Sequence, residues 1–135
     1  MTTMLAARSA IITKFNTSYG STTAVAWPNK LFTEPTDGSA WVQFNINFQE
    51  SLITTISTKN NEQIGNVTIN IFTAAKSNDI QSVTLAQTIR AIFNRLRLDD
   101  ILFEAPIIRE IPTNPDSNWF QRLVRVNFSY YEYIA

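Results

Sequence analysis

The amino-acid sequence predicts an α+β domain: a mostly antiparallel sheet with two helices packed on one face and a projecting hairpin. Three observations lead there. Residues 41–48 alternate strictly, with Val42, Phe44, Ile46 and Phe48 facing one way and Gln43, Asn45 and Asn47 the other. That is the mark of a strand with one packed face and one open, polar face. Within residues 79–97, Leu85, Ile89, Ile92 and Leu96 recur at 4-3-4 spacing, an apolar stripe suited to lie across a sheet. Finally, strand and helix segments cluster along the chain instead of alternating, which argues against a parallel βαβ arrangement.

The elements follow in order. Residues 3–15 read as a helix, with Leu5, Arg8, Ile12 and Phe15 at helical spacing and Ala6, Ala7 and Ala10 as helix formers. A polar exit at 16–21 contains Gly20, a helix stop. Residues 23–27 form a short strand closed by Pro28, and 33–39 (Thr-Glu-Pro-Thr-Asp-Gly-Ser) carry turn chemistry. After the 41–48 strand, residues 51–58 are β-rich but alternate poorly. Lys59, Asn60, Asn61 and Glu62 read as a polar tip, and 64–73 return as a strand with Val67, Ile69 and Ile71 inward. Together 51–73 reads as a hairpin whose outer half is polar enough to project. Asn78 and Gln81 fit a capping box for the 79–97 helix. The run Arg90, Asn94, Arg95 and Arg97 includes a cationic last turn, which complements the helix dipole. Residues 101–111 suggest a strand interrupted by Pro106, hence an edge or a bulge. A turn-rich loop at 111–118 leads to a long final strand, 119–133, with Val124, Val126, Phe128 and Tyr130 on one face.

Composition narrows the function. At 135 residues the chain is expected to be one domain. Eleven basic residues balance eleven acidic ones, and they balance within each half as well. With no basic face, nucleic acid and anionic membrane are poor partners. Charged residues make up only 16%, against about 25% in an ordinary domain. Such a surface is poorly protected against self-association and suits a protein covered by neighbours. The absence of Cys and His removes Ser-His-Asp triads, Cys-His nucleophiles and zinc fingers together. No apolar run approaches the roughly 18 residues of a membrane span, and the N-terminus lacks the regions of a secretory signal.

Several constellations have competing readings. Trp27-Pro28, Phe32 and Trp41 read as a core anchor ahead of a ligand groove. The 128–133 run, with Tyr131 and Tyr133 opposite Phe128 and Tyr130, reads as half core and half protein interface rather than a stacking platform, since no basic cluster accompanies it. Asp99-Asp100 reads as a helix-to-strand turn rather than a divalent-ion site, because no matching carboxylates lie near in sequence. Arg90, Arg95, Arg97, Arg122 and Arg125 read equally as solvated or cross-strand cations and as intersubunit ion pairs. Three scattered glycines allow no phosphate-binding loop.

One pattern reaches further. Ala24-Val25-Ala26-Trp27-Pro28-Asn29, then Phe32 in a loop, then the Trp41-led strand, resembles the N-terminal signature of the tail-terminator-like proteins of long-tailed bacteriophages. The later parts follow the family's order: a core strand at 66–73, Ala74-Ala75 turning into the 79–97 helix, and a C-terminal hairpin at 101–133. Gly65 stands where the family commonly has a glycine, although the 51–58 segment before it is more β-rich than usual. The resemblance implies a structural virion protein of the tail and neck, assembled in the host cytoplasm and without enzymatic activity or cofactor. Such proteins form a homo-oligomeric ring, usually of six subunits, that caps the tail tube, stops its polymerisation and docks the head connector. The implied partners are other copies of the chain, the tail tube protein and the head–tail connector protein, with DNA only as passing cargo and no membrane. Residues Lys59, Asn60, Asn61, Glu62, Arg95, Arg97, Arg122, Arg125 and Tyr131 are the interface candidates. Two other readings stay open: another connector or completion protein of the same particle, and a small aromatic-rich module binding a host surface or carbohydrate.

Overall fold

The computed structural model describes residues 3–53, 60–75, 79–112 and 116–133. The elements run α1 (Met4–Tyr19), β1 (Ala24–Ala26), β2 (Trp41–Ile53), β3 (Asn60–Ala74), α2 (Ile80–Phe93), β4 (Arg97–Leu98), β5 (Ile101–Phe103), β6 (Ile107–Ile111) and β7 (Trp119–Tyr133). The seven strands form one sheet in the order β1-β2-β3-β7-β5-β4, with β6 also pairing β7. All pairings are antiparallel except β1 with β2.

Register shows how the alternation works. Phe44 pairs with Ile69, and Ile69 with Val124; Ile46 pairs with Val67, and Val67 with Val126. These apolar rows make one buried face. Both helices cover it: Ala7, Ile11, Phe15 and Tyr19 of α1 and Leu85, Ala86, Ile89 and Phe93 of α2 join the same core cluster as Val42, Phe44, Val67, Ile69, Ile71, Val124, Val126 and Phe128. Phe15 links the layers. Its ring lies 4.8 Å from Phe44 on the sheet and 6.1 Å from Phe93 on α2.

α1 differs from its predicted form. It runs on through Tyr19, four residues past the expected end, and stops at Gly20, whose φ of 61° lies in the left-handed region. Thr3 caps its start, the hydroxyl oxygen accepting a hydrogen bond from the Ala6 N–H at 3.1 Å. The buried face is Ala7, Ile11, Phe15 and Tyr19, a strict i, i+4 row, whereas Leu5 is 73% exposed. The row's first member is a small Ala, so the larger Leu5 misdirects a reading by hydrophobicity.

α2 is shorter than expected at both ends. Its N-cap is Asp79, which makes no side-chain capping bond; the predicted capping box rests on Asn78, which lies outside the described residues. The helix ends at Phe93, leaving only Arg90 in its last turn. Asn94 is extended, and Arg95 takes a φ of 51°, which turns the chain into β4. Arg97 therefore sits on a strand, not on the helix. Asp99 and Asp100 form the turn of the β4–β5 hairpin, with Asp99 at φ 52°.

The predicted hairpin is also redrawn. β2 is one continuous strand to Ile53, and the register slips between Phe48 and Glu50, so Gln49 is the extra residue of a β-bulge. The bulge disrupts alternation, which is why 51–58 reads as a separate strand. Asn60, Asn61 and Glu62 belong to β3 and are not a tip; residues 54–59, Lys59 included, lie outside the described residues. β7 stays paired with β3 out to Asn60 and Tyr133, so the outer part is three-stranded. Pro106 does interrupt a strand, leaving β5 and β6 in series along one side of β7.

Candidate interaction surfaces

The sheet face away from the helices is open and rich in amides. Gln121 donates from Nε2 to Asn70 Oδ1 at 2.8 Å, and Asn70 Nδ2 to Gln43 Oε1 at 3.4 Å. Further out, Asn47 Nδ2 donates to Asn66 Oδ1 at 3.1 Å, and the Thr68 hydroxyl donates to the same oxygen at 3.2 Å. These cross-strand bonds satisfy polar groups without adding charge. The middle of the face is therefore nearly uncharged, while Arg97, Glu62, Arg109 and Arg125 lie towards its outer end and its β6 side.

One end of this face is closed by aromatics. Trp41 stacks on Phe72 at 4.1 Å and on Phe32 at 5.0 Å, with Trp119 edge-on at 6.1 Å. Trp119 Nε1 donates to the Glu34 carboxylate at 3.2 Å, pinning the loop that carries Phe32. In the same loop, hydrogen bonds from the Ser39 hydroxyl and N–H hold the Asp37 carboxyl below its usual range. Trp27 instead lies on the helix side, edge-on to Phe15 at 5.9 Å and tilted on Phe44 at 5.4 Å. The Trp-Pro segment and Trp41 thus anchor opposite faces of the sheet and form no common groove.

The interface candidates separate into four places. Arg97, Tyr131 and Glu62 meet on the open face at the outer end. Arg97 pairs with Leu102, Leu102 with Ser129, and Tyr131 with Glu62. Arg97, Leu102 and Tyr131, with Asp100, line a cleft of about 310 Å³. Asn61 is half-buried nearby, paired with Ile53 and Glu132, and Asn60 opens β3 opposite Tyr133. Arg125 is exposed further along the same face, between Thr68 and Ile107. Arg95 is exposed at the end of α2, its backbone N–H donating to Glu104 O at 3.3 Å.

Arg122 is different. Its row pairs it with Ile71, on the helix side. Its Nε donates to Ser82 Oγ at 3.2 Å, Nη2 lies 4.0 Å from Asp79 Oδ2, and the side chain is only 13% exposed. The guanidinium also lies 5.4 Å from the Phe120 ring centre. Within one chain it fastens the start of α2 to the sheet, supplying what the absent side-chain cap does not.

Sequence reasoning missed several exposed apolar residues, among them Leu31, Ile80 and Ile107. Leu31 is fully exposed on the turn after β1, and Ile107 is 56% exposed on β6. A lone Leu between Lys and Phe carries no periodic signal, and Ile107 falls within the single interrupted strand that 101–111 suggests. Among the described residues no helix is long and apolar enough to cross a membrane.

Comparison with known proteins adds the family. The model of a family described as phage tail terminator protein matches residues 4–128. No curated protein matches the chain. Among solved structures, one chain with 13% identity superposes with a TM-score of 0.66, over 95% of this chain and 98% of its own length. At that identity the likeness is one of fold.

Proposed function

Because the chain belongs to the phage tail terminator family and is a structural component of the phage tail, we propose that it caps the head-proximal end of the tail tube as a closed homo-oligomeric ring, ending tube growth and docking the head connector. The family match over residues 4–128 carries this reading. The physical chemistry of the surface supports it. Only 16% of the residues are charged, and the middle of the open sheet face is a network of neutral amides. Such surfaces tolerate being covered by neighbours, because little charge must be desolvated.

Six subunits is the ring size we propose. The outer cluster of Arg97, Tyr131, Glu62 and Asn61, together with Lys59 and Asn60, is assigned to axial partners: the tube protein on one side of the ring or the connector on the other. Arg95 and Arg125 flank that surface. DNA passes as cargo, and no catalytic step is assigned. Particle assembly in the absence of this chain tests the reading. Over-long tails, or tails that never join heads, are expected. Tails of normal length on full heads would overturn it.

A further inference from the structure

β6 has a strand on one side only. Its backbone hydrogen bonds go to β7, and among the described residues no turn, loop or cap bond reaches 107–111. In an antiparallel pair, alternate residues turn both backbone groups away from the partner strand, so β6 keeps unpaired donors and acceptors along its far side. Pro106 and Pro112 bound that row to the five residues Ile107–Ile111. The row is accessible: Ile107, Arg109 and Glu110 are exposed. The sheet's other edge offers less. β1 is three residues long, and past it β2 shows the amides of Asn45 and Asn47 on the open face before the bulge at Gln49.

Register fixes what stands on each side of β6. Ile107 pairs with Arg125, Arg109 with Leu123 and Ile111 with Gln121, all on the open face. Ile108 and Glu110 pair with Val124 and Arg122, on the helix side. Arg109 is thus the diagonal neighbour of Arg125 on one face. Both are exposed, and among the described residues neither has a carboxylate within ion-pair distance or a hydrogen-bond partner.

Charge decides the occupant. A second copy of β6, laid antiparallel so that Ile107 meets Ile111, would set Arg109 against Arg109, and like charges directly opposite are destabilising. The same position accepts a carboxylate. With apolar side chains opposite Ile107 and Ile111, the complementary strand reads apolar-x-acidic-x-apolar in either direction. Nucleic acid fits less well. Two cations beside a field of amides make no basic track, and the edge carbonyls find no donors on phosphate.

We propose that β6 is a docking edge for an extended acidic segment of another protein of the particle. The segment adds to the sheet as a strand beside β6 and sets a carboxylate against Arg109, with Arg125 behind it. Main-chain hydrogen bonds supply the hold, and the arginines select the segment. The partner's class rests on membership of the tail terminator family, whereas the contact does not depend on ring closure.

The chain contains no Cys, so a single thiol can carry a probe. Glu110→Cys places a benzophenone at the edge, on the face away from Arg109. The labelled chain is built into particles and irradiated, and its adducts are mapped by mass spectrometry. The expected adduct joins a different protein of the particle, at a segment with the apolar-x-acidic-x-apolar pattern. Adding Arg109→Glu should lower its yield at least about tenfold, as a like-charge contact does, while Arg109→Lys keeps most of it. Changing the mapped acid to Lys in the partner should restore the yield with Arg109→Glu, which a folding defect would not allow. The proposal is overturned by no adduct, by an adduct to DNA or to a second copy, or by a segment without an acidic residue. An Arg109→Glu yield equal to the parent's, or a charge swap that restores nothing, overturns it too. The terminator role is tested apart from it. If tails keep normal length on full heads without this chain, that role ends, yet a charge-dependent adduct leaves the edge contact standing. Over-long tails with no adduct give the reverse.

Discussion

Single residues show where the fold is tight. Gly65 sits in β3 between Phe48 and Phe128, whose rings meet edge-on at 5.7 Å. A Cβ there would strike the Asn47 carbonyl oxygen and lie 2.7 Å from Phe128 Cζ. Gly65→Ala is expected to cost about 1–3 kcal/mol, the usual range for overpacking, measured by urea unfolding; an unchanged midpoint would refute the close approach. Tyr130 makes a second case. Its side chain is buried, and among the described residues its hydroxyl has no hydrogen-bond partner. Burial, aided by the nearby Glu132 charge, pushes its pKa up to about 12 from 10.0. The folded state therefore holds this proton after the unfolded chain has released it. Stability from this group is intact below about pH 10 and is lost as pH rises toward about 12. Tyr130→Phe removes that part of the alkaline loss. At neutral pH it should be neutral or slightly stabilising, because an unsatisfied hydroxyl disappears. Melting curves across the alkaline range check both halves, with the buried Tyr19, also raised, accounting for some remaining loss. Neither effect is legible in the sequence: Gly65 shows only its place before a strand, and Tyr130 is one inward residue of an alternating run.

At the scale of elements, strands were easier to read than helix faces or ends. Alternation in 41–48, 64–73 and 119–130 assigns the inward residues correctly, because a period of two is insensitive to residue size. The bulge at Gln49 breaks that period and split one strand into two. β1 is three residues long and pairs in parallel with β2, so nothing local reveals its partner. α1 misled through size: Ala7 is fully buried while Leu5 is exposed. Paired substitutions test the difference. Ile11→Ala is expected to cost about 2–5 kcal/mol and Leu5→Ala less than about 0.5 kcal/mol. The reverse order in thermal or chemical unfolding would restore the Leu5, Ile12 stripe. α2's missing side-chain cap was likewise unreadable. The Arg122 to Ser82 and Asp79 contacts that replace it join positions forty or more residues apart.

For the whole molecule, the separation of surfaces leads to a test of function. Arg97, Tyr131 and Glu62 gather at the outer end of the open face, apart from the amide network at its middle and from the sheet edges. If subunits join elsewhere and the outer end meets axial partners, the two activities should come apart by mutation. Arg97→Glu with Tyr131→Ala alters exposed side chains only, so folding and self-association are expected to match the parent by unfolding and by sedimentation. Capping should fail: tails should grow over-long or remain headless. Salt should discriminate as well. Contacts between exposed charges are screened over about 8–10 Å at ordinary ionic strength, so axial docking through Arg97 should weaken as salt rises. A lateral joint made through surfaces with few exposed charges should change little. Loss of self-association in the outer-end variant, or lateral joining that collapses with salt while capping persists, would exchange the roles of the two surfaces.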